Sequence, residues 1–452
     1  VTWYNAIGDQ ARRFIMRVTL IAIGSRGDVQ PYVALGIGLQ QAGYRVQVAT
    51  HEPFAAFVQG HGLDFAPLHG DMQAILNNPQ WKREKVGIIS GLRQIRNAMA
   101  PLAHAVVADC QRICQQTDAL LLSTLAMFTA LPAVQQLGLP ACGAFLQPGT
   151  PTRQFPAFLF PQLPGWLGPV TGGYNLITYL LREWLIWQNF NHALLAAYRT
   201  VYGPQFAHAA NPLSQWRQQQ RPCLYGYSPL VVPPPADWSA VNHVTGYWFL
   251  DDEQWQPPAD LVRFLAAGPP PVYIGFGSMT NENPQAMAHT ALRALELTGQ
   301  RGILLTGWGG LQSVDLPSTV LQIDSAPHSW LFPRMAAVVH HGGAGTTGAG
   351  FRAGVPSLVV PFRGDQPFWG QRAQALGVGP APILHTRLTA ERLAHAIDQA
   401  VHDQTMRSRA AHLGQRIRAE DGVAHAVAAF QRLLPGQPAA AAGAPTRLSL
   451  VG

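Results

Sequence analysis

Little of this 452-residue chain carries charge: Asp, Glu, Lys and Arg make up 12% of it, against 48% hydrophobic residues. That balance excludes a disordered chain, and the length allows two or three domains around a sizeable core. The 31 Lys and Arg exceed the 24 Asp and Glu by +7, without any long run of like charge. Nucleic acid is excluded as a partner on that ground, while a small positive excess is compatible with peripheral contact at an anionic membrane surface. Cysteine is scarce. Cys110, Cys114, Cys142 and Cys223 form no Cys-x-x-Cys pair and have no His-x-x-x-His nearby, which argues against zinc and for a reducing, cytoplasmic setting. Long apolar runs are missing too. Ala119 to Thr152 lacks charge, but Pro132, Gly138, Pro140 and Gly143 break it before a membrane span of about twenty residues can form. No basic start with an apolar core and small-residue cleavage site marks a secretion signal.

What the chain does have is the stretch Ala336-Ala-Val-Val-His340-His341-Gly342-Gly343-Ala-Gly345-Thr346-Thr347-Gly348, followed by an apolar run to Phe362 and then Gly364-Asp365-Gln366. Strand, glycine turn and helix in that order bring free backbone N–H groups and a positive helix end to one rim, which suits phosphate oxygens. Asp365 and Gln366 follow the next apolar run and are expected at the same rim, where a carboxylate and an amide suit sugar hydroxyls.

Taken in order, residues 1–15 have no clear period and read as an N-terminal extension, with Met16 to Ile23 opening a buried strand. Gly24-Ser25-Arg26-Gly27-Asp28-Val-Gln-Pro31 follows, then a helix over Tyr32 to Ala42 and a strand over Tyr44 to Thr50, a βαβ unit. Asp28 at the start of that helix is either its N-cap or a carboxylate placed to act as general base. Leu120 to Ser123 and Ala141 to Leu146 read as buried strands. The aromatic- and proline-rich block from Phe155 to Asn191 is either ordinary core or the wall of a hydrophobic acceptor pocket. Residues 16–225 therefore form a first Rossmann-like domain, and Pro-rich 226–258 an interdomain crossing. A second βα series makes residues 259–420 another Rossmann-like domain, ahead of a helix at 421–436 and an Ala/Pro/Gly tail at 437–452. The fold class is α/β.

Four short motifs in this order resemble one family: Gly24-Ser-Arg-Gly-Asp-Val-Gln-Pro31, Ala326-Pro-His-Ser-Trp-Leu-Phe332, His340-His-Gly-Gly-Ala-Gly-Thr-Thr347 and Gly364-Asp-Gln-Pro-Phe-Trp-Gly370. Over roughly Met16 to Leu434 the chain is similar to the GT-B, family 1-type UDP-glycosyltransferases, and within them to the sterol 3β-glucosyltransferase-like branch. The resemblance implies two facing Rossmann-like domains with a C-terminal helix crossing back. It also implies inverting transfer of a hexose, glucose from UDP-glucose, to a hydroxyl of a sterol or other lipid alcohol, without metal or cofactor; no Asp-x-Asp occurs in the chain. By the same resemblance Asp28 is the catalytic base. His340 meets the donor diphosphate with Ser278 and the amides around Gly342, Gly343, Gly345 and Thr346. Asp365 and Gln366 hold the sugar, and Ala326 and His328 lie in the loop meeting the nucleobase. Ser325 stands where the family often has a base-stacking Trp, leaving Trp308 or Trp330 for that place. Ser123 or Thr124 stands where plant relatives carry a second Asp. Ser25 and Gly27 are further candidate contacts.

Other readings remain open. A polyketide- or flavonoid-like aglycone also fits an aromatic wall. Gly343-Ala-Gly-Thr-Thr-Gly348 spells G-x-G-x-x-G, with Asp365 near the spacing of an NAD-dependent oxidoreductase. A catalytically silent sugar- or lipid-binding protein would share the same fold.

Overall fold

The computed structural model describes residues 15–70, 93, 96–97, 100–277, 284–305 and 316–433. Ser278, Trp308, the tail and nearly all of the extension lie outside them. The first domain runs β1 (Arg17–Ile21), α1 (Arg26–Gln41), β2 (Arg45–His51), α2 (Ala55–Gly60), β3 (Asp64–Leu68), α3 (Ala103–Cys114), β4 (Ala119–Leu122), α4 (Thr124–Leu137) and β5 (Ala141–Phe145). It continues through α5 (Gly168–Tyr202), α6 (Pro212–Gln218), β6 (Cys223–Tyr225) and β7 (Asn242–Val244). The second contains α7 (Ala259–Ala266), β8 (Val272–Gly275), α8 (Pro284–Thr298), β9 (Gly302–Leu305), β10 (Val320–Ile323), α9 (His328–Leu331) and β11 (Ala337–His340). After these come α10 (Ala344–Ala353), β12 (Ser357–Val359), α11 (Gln366–Ala375), α12 (Ala390–His402), α13 (Gln404–Arg418) and α14 (Gly422–Leu433).

Both sheets are parallel, ordered β3-β2-β1-β4-β5-β6-β7 and β10-β9-β8-β11-β12. Helices cover both faces, so strands such as β4, Ala-Leu-Leu-Leu, are buried throughout. In each sheet the winding reverses once, between β1 and β4 and between β8 and β11. A doubly wound sheet binds its ligand outside the strand ends at that reversal. The two glycine-rich motifs follow β1 and β11, one at each reversal.

Two elements depart from the sequence reading. Inside the 226–258 crossing, β7 pairs with β6, Cys223 opposite Asn242, and extends the first sheet by one strand. Helix α1 begins at Arg26 rather than Tyr32, because Ser25, not Asp28, is its N-cap, and Pro31 sits within it. Helix α14 returns to the first domain. Its Ala426, Val427, Ala429 and Phe430 share one core with Val18, Leu20, Val46 and Val48. Phe430 meets Tyr44 edge-on at 6.1 Å, and complete burial of such a ring stabilises by about 1.5–3 kcal/mol.

One surface breaks the usual pattern. Trp166, just ahead of α5, and Val170, Ile177, Leu180, Leu181 and Trp184 within it are all exposed, Trp166 by 80% and Ile177 by 61%. At helical spacing these positions fall on one stripe. From Gln154 to Tyr198 only Arg182 and Glu183 carry a formal charge, and both are buried. Among the described residues no helix is long and apolar enough to cross a membrane.

Candidate active site

The acidic side of the site is built by the first turn of α1. Ser25 donates from both its backbone N and its Oγ to Asp28 Oδ2, at 2.8 and 2.9 Å. Gly24, at φ +153°, makes room for that carboxylate, since a Cβ there would sit 2.4 Å from Oδ2. Among the described residues Oδ1 takes no hydrogen bond, so one carboxylate oxygen stays available. The Asp28 residue is exposed to water, although protein crowds its carboxylate closely enough to reduce its hydration. Burial raises its pKa above 3.8 against the opposing pull of the two Ser25 hydrogen bonds.

The facing side comes from the second domain. Asp365 precedes α11, and its Oδ2 accepts a hydrogen bond from Trp369 Nε1 at 2.8 Å. The Trp369 ring is wholly buried and meets Tyr227 edge-on at 6.0 Å, so the donor is fixed. Burial lifts the Asp365 pKa to about 6, Trp369 opposes the rise, and the charge of Asp28 adds to it. The two carboxylates are thus electrostatic neighbours across the cleft.

Three histidines line the same region. His340 ends β11 fully buried; its Nδ1 accepts from Gly342 N at 3.1 Å, and Nε2 has no partner among the described residues. Position 342 takes glycine on two counts: its φ is +91°, and a Cβ there would lie 2.5 Å from Val359 Cγ1. The His341 ring lies against both glycine turns, with Nε2 2.6 Å from where a Gly343 Cβ would be and Cε1 3.2 Å from that of Gly277. His328 stacks on Phe332 at 4.3 Å. Burial, then the mutual proximity of the rings, pushes His340 well below the ordinary imidazole value and His341 down to about 4. Burial and the nearby Arg26 take His328 to about 4 as well. All three are therefore neutral at pH 7. Beside them α10 begins at Ala344; Gly345 is exposed with open space around it, and Thr346 is half-buried.

The sequence candidates do not all stand alike. Asp28, Ser25, Gly27, His328, His340, Gly342, Gly343, Gly345, Thr346 and Asp365 lie at the facing strand edges or the first turns that follow them. Gln366 is buried, and its Oε1 accepts from Phe362 N and Arg363 N at 2.7 and 3.0 Å, so that oxygen shapes the turn behind Asp365. Trp330 packs into the second domain's own cluster with Ala326, edge-on to Trp255 at 5.2 Å and under Arg334. Ser123 caps α4, accepting from Ala126 N, and also accepts from Ile23 N. The sequence places His341 at the glycine turn and Trp369 in the Gly364–Gly370 motif but gives neither a role. Asp365 lies beyond the end of β12, at the start of α11, and not at a strand tip where a dinucleotide site places its acid.

Two family models match the chain: the glycosyltransferase family 28 N-terminal domain over residues 18–153, and the erythromycin biosynthesis protein CIII-like C-terminal domain over residues 309–430. The chain has the two-domain GT-B fold of glycosyltransferases. A sterol 3-beta-glucosyltransferase of Aspergillus terreus is 38% identical over 92% of this chain, and one of Cryptococcus neoformans is 38% identical over the same share. This GT-B chain spans about 30% and 27% of those relatives' lengths. Its fold is shared with the glycotransferase of kitacinnamycin (TM-score 0.68, 18% identity, 93% of this chain and 99% of that one). The calicheamicin glycosyltransferase CalG4 shares it too (TM-score 0.67, 17% identity, 92% and 98% of the chains). Streptomyces SsfS6, solved with thymidine diphosphate, matches at TM-score 0.58 and 20% identity over 92% of this chain and 99% of its own.

Proposed function

We propose that this chain is an inverting, metal-independent glycosyltransferase that moves a hexose, glucose from UDP-glucose, to the hydroxyl of a sterol or other lipid alcohol. One observation carries the reading: Asp28 and Asp365 face the same cleft, with neutral histidines and a helix N-terminus beside them. Ser25 clamps Asp28 Oδ2 and leaves Oδ1 to take the acceptor proton as the new C–O bond forms. A carboxyl pKa raised by burial makes a stronger base than a free Asp. The leaving diphosphate gains charge, and the α10 amides with His340 and His341 supply donors for it. Trp369 holds Asp365 ready for a sugar hydroxyl. Attack from the Asp28 side, opposite the diphosphate, inverts the anomeric carbon.

The 38%-identical sterol glucosyltransferases favour a sterol over a polyketide or flavonoid acceptor. Four buried, unpaired thiols fit a reducing cytoplasm, and the uncharged stripe of α5, with a Trp near each end, fits peripheral attachment to a membrane. The test is UDP release from UDP-glucose with sterol-bearing vesicles, together with mass spectrometry of the lipid. A glucosylated sterol supports the reading. UDP release no faster with sterols or lipid alcohols than without acceptor overturns it, and a glucoside formed only on flavonoid or polyketide aglycones moves the acceptor class.

A further inference from the structure

The first domain holds a cavity of about 270 Å³ between β5, β6, α4, α5, α6 and the 237–242 loop. Met127, Phe145, Phe158, Ile186, Leu213 and Trp238 give it apolar walls. Arg182 also lines it and is 4% exposed. One arm of the guanidinium, Nη2, donates to Gly149 O at 2.8 Å, and its carbon lies 5.2 and 5.1 Å from the Phe158 and Tyr179 ring centroids. The other arm, Nη1, has no hydrogen-bond partner among the described residues.

Among the described residues no carboxylate hydrogen-bonds to this cation, although the charge of the adjacent Glu183 favours it. Glu183 is committed to Arg217, whose Nη1 reaches both carboxylate oxygens at 2.6 and 2.7 Å. Asp237 accepts from Thr152 Oγ1 at 2.6 Å and Arg153 N at 2.7 Å. The lining charges are Arg182, Arg217 and Arg221 against Glu183 and Asp237, three to two. A second donor on the same wall, Trp238 Nε1, is likewise buried without a partner. Burying a polar group costs free energy unless it is hydrogen-bonded, and burying a charge costs far more unless an opposite charge meets it. Two unmet donors and one positive charge in excess, inside apolar walls, describe a place for an anionic head on an apolar body.

We propose that this cavity binds the carboxylate of an amphipathic lipid, with Arg182 as the residue that selects it. Thr124, the first residue of α4, lines the cavity next to Ser123, which accepts from Ile23 N in the short link between β1 and the helix that carries Asp28. Its volume is at the small end for a ligand site and takes one end of a lipid. As a statement about the acceptor, the proposal rests on the transferase reading and narrows it to alcohols with a carboxylate remote from the reacting hydroxyl. As a statement about binding it does not need transfer. The same chemistry has a second source, a separate fatty or steroid acid.

Calorimetry without nucleotide, comparing 3β-hydroxychol-5-enoic acid, its methyl ester and cholesterol delivered in cyclodextrin, tests this. The acid is expected to bind roughly tenfold or more tightly than either neutral compound, the range of a charge-assisted hydrogen bond. Arg182→Met should abolish the preference while UDP affinity, a check on folding, stays unchanged; Arg182→Lys should keep part of it. Equal affinity for all three compounds, an ester as good as the acid, or a preference that survives Arg182→Met overturns the proposal. With UDP-glucose added, a glucosylated acid makes it the acceptor. Binding without glucoside, and with cholesterol turnover unimpaired, makes it a separate ligand of the same site. If the acid binds but none of the three is glucosylated, the transferase reading fails while the site stands.

Discussion

The charge of Asp28, on the first helix of one domain, raises the proton affinity of Asp365, at the start of a helix in the other. Two chain segments more than three hundred residues apart thus meet at one cleft, each held by a local partner: Ser25 for Asp28 and Trp369 for Asp365.

Asp28→Asn removes the base and preserves the shape of the capping turn. Turnover should fall by roughly 10²–10⁴-fold, the usual range for a general base, with UDP affinity by calorimetry unchanged. Full activity in this variant would remove Asp28 from the chemistry.

Asp365 ties activity to pH and, in the opposite sense, to stability. Transfer should decline as pH drops through about 6, where Asp365 takes up its proton. Because its folded pKa lies above the ordinary 3.8, the protonated form is the one the fold prefers. Stability associated with this group is therefore full below 3.8 and lost as pH rises through about 6. Asp365→Asn keeps an oxygen for Trp369 and should stabilise the protein by about 1–2 kcal/mol at pH 8, allowing for partial exposure, but not at pH 3.5. Trp369→Phe deletes the donor and should shift the acid limb to higher pH. Thermal melts across pH and initial rates check both variants.

Three neutral histidines beside a helix N-terminus should gain protons when a diphosphate arrives. Calorimetry of UDP binding near pH 6, in buffers of different ionisation enthalpy, should therefore register net proton uptake that shrinks by pH 8. His340→Ala should weaken UDP binding by roughly tenfold, the worth of one charge-assisted contact. Identical heats in all buffers would exclude the coupling.

The stripe on α5 makes a separate claim. Replacing Ile177 and Trp184 by Glu should reduce sedimentation with anionic vesicles and slow turnover of vesicle-borne sterol several-fold. Turnover of the same sterol in cyclodextrin should be unaffected. Dimer loss in light scattering, without any change in vesicle binding, would assign the stripe to a second copy instead.

Much of the site was legible because it is local. Strand, glycine turn and helix follow one another in the chain at both Asp28 and His340, so periodicity and turn chemistry locate them. The cap falls to Ser25 instead of Asp28 because α1 starts at Arg26 and takes Pro31 into its second turn, a boundary that the spacing of apolar residues does not mark. Gln366 reads as a sugar ligand beside Asp365, yet a tight turn draws its oxygen to Phe362 N and Arg363 N. β7 is three residues long and exists through its pairing with β6, so no sequence period announces it. Arg182 stands in an aromatic run that reads equally as core or pocket. Only the packing of α5 against Gly149 and Phe158 shows one arm of its guanidinium left over.

Helix α14 also has a bearing on how this chain is made. Its residues complete a core whose other members, Val18 and Leu20 included, lie on the far side of the second domain in chain order. During translation the leading domain must therefore wait, with an unfilled apolar seam, until the ribosome has delivered the whole of the other one. The two lobes are separate in architecture but not in biogenesis, and a leading lobe produced alone would carry that seam open to chaperones or to neighbouring chains.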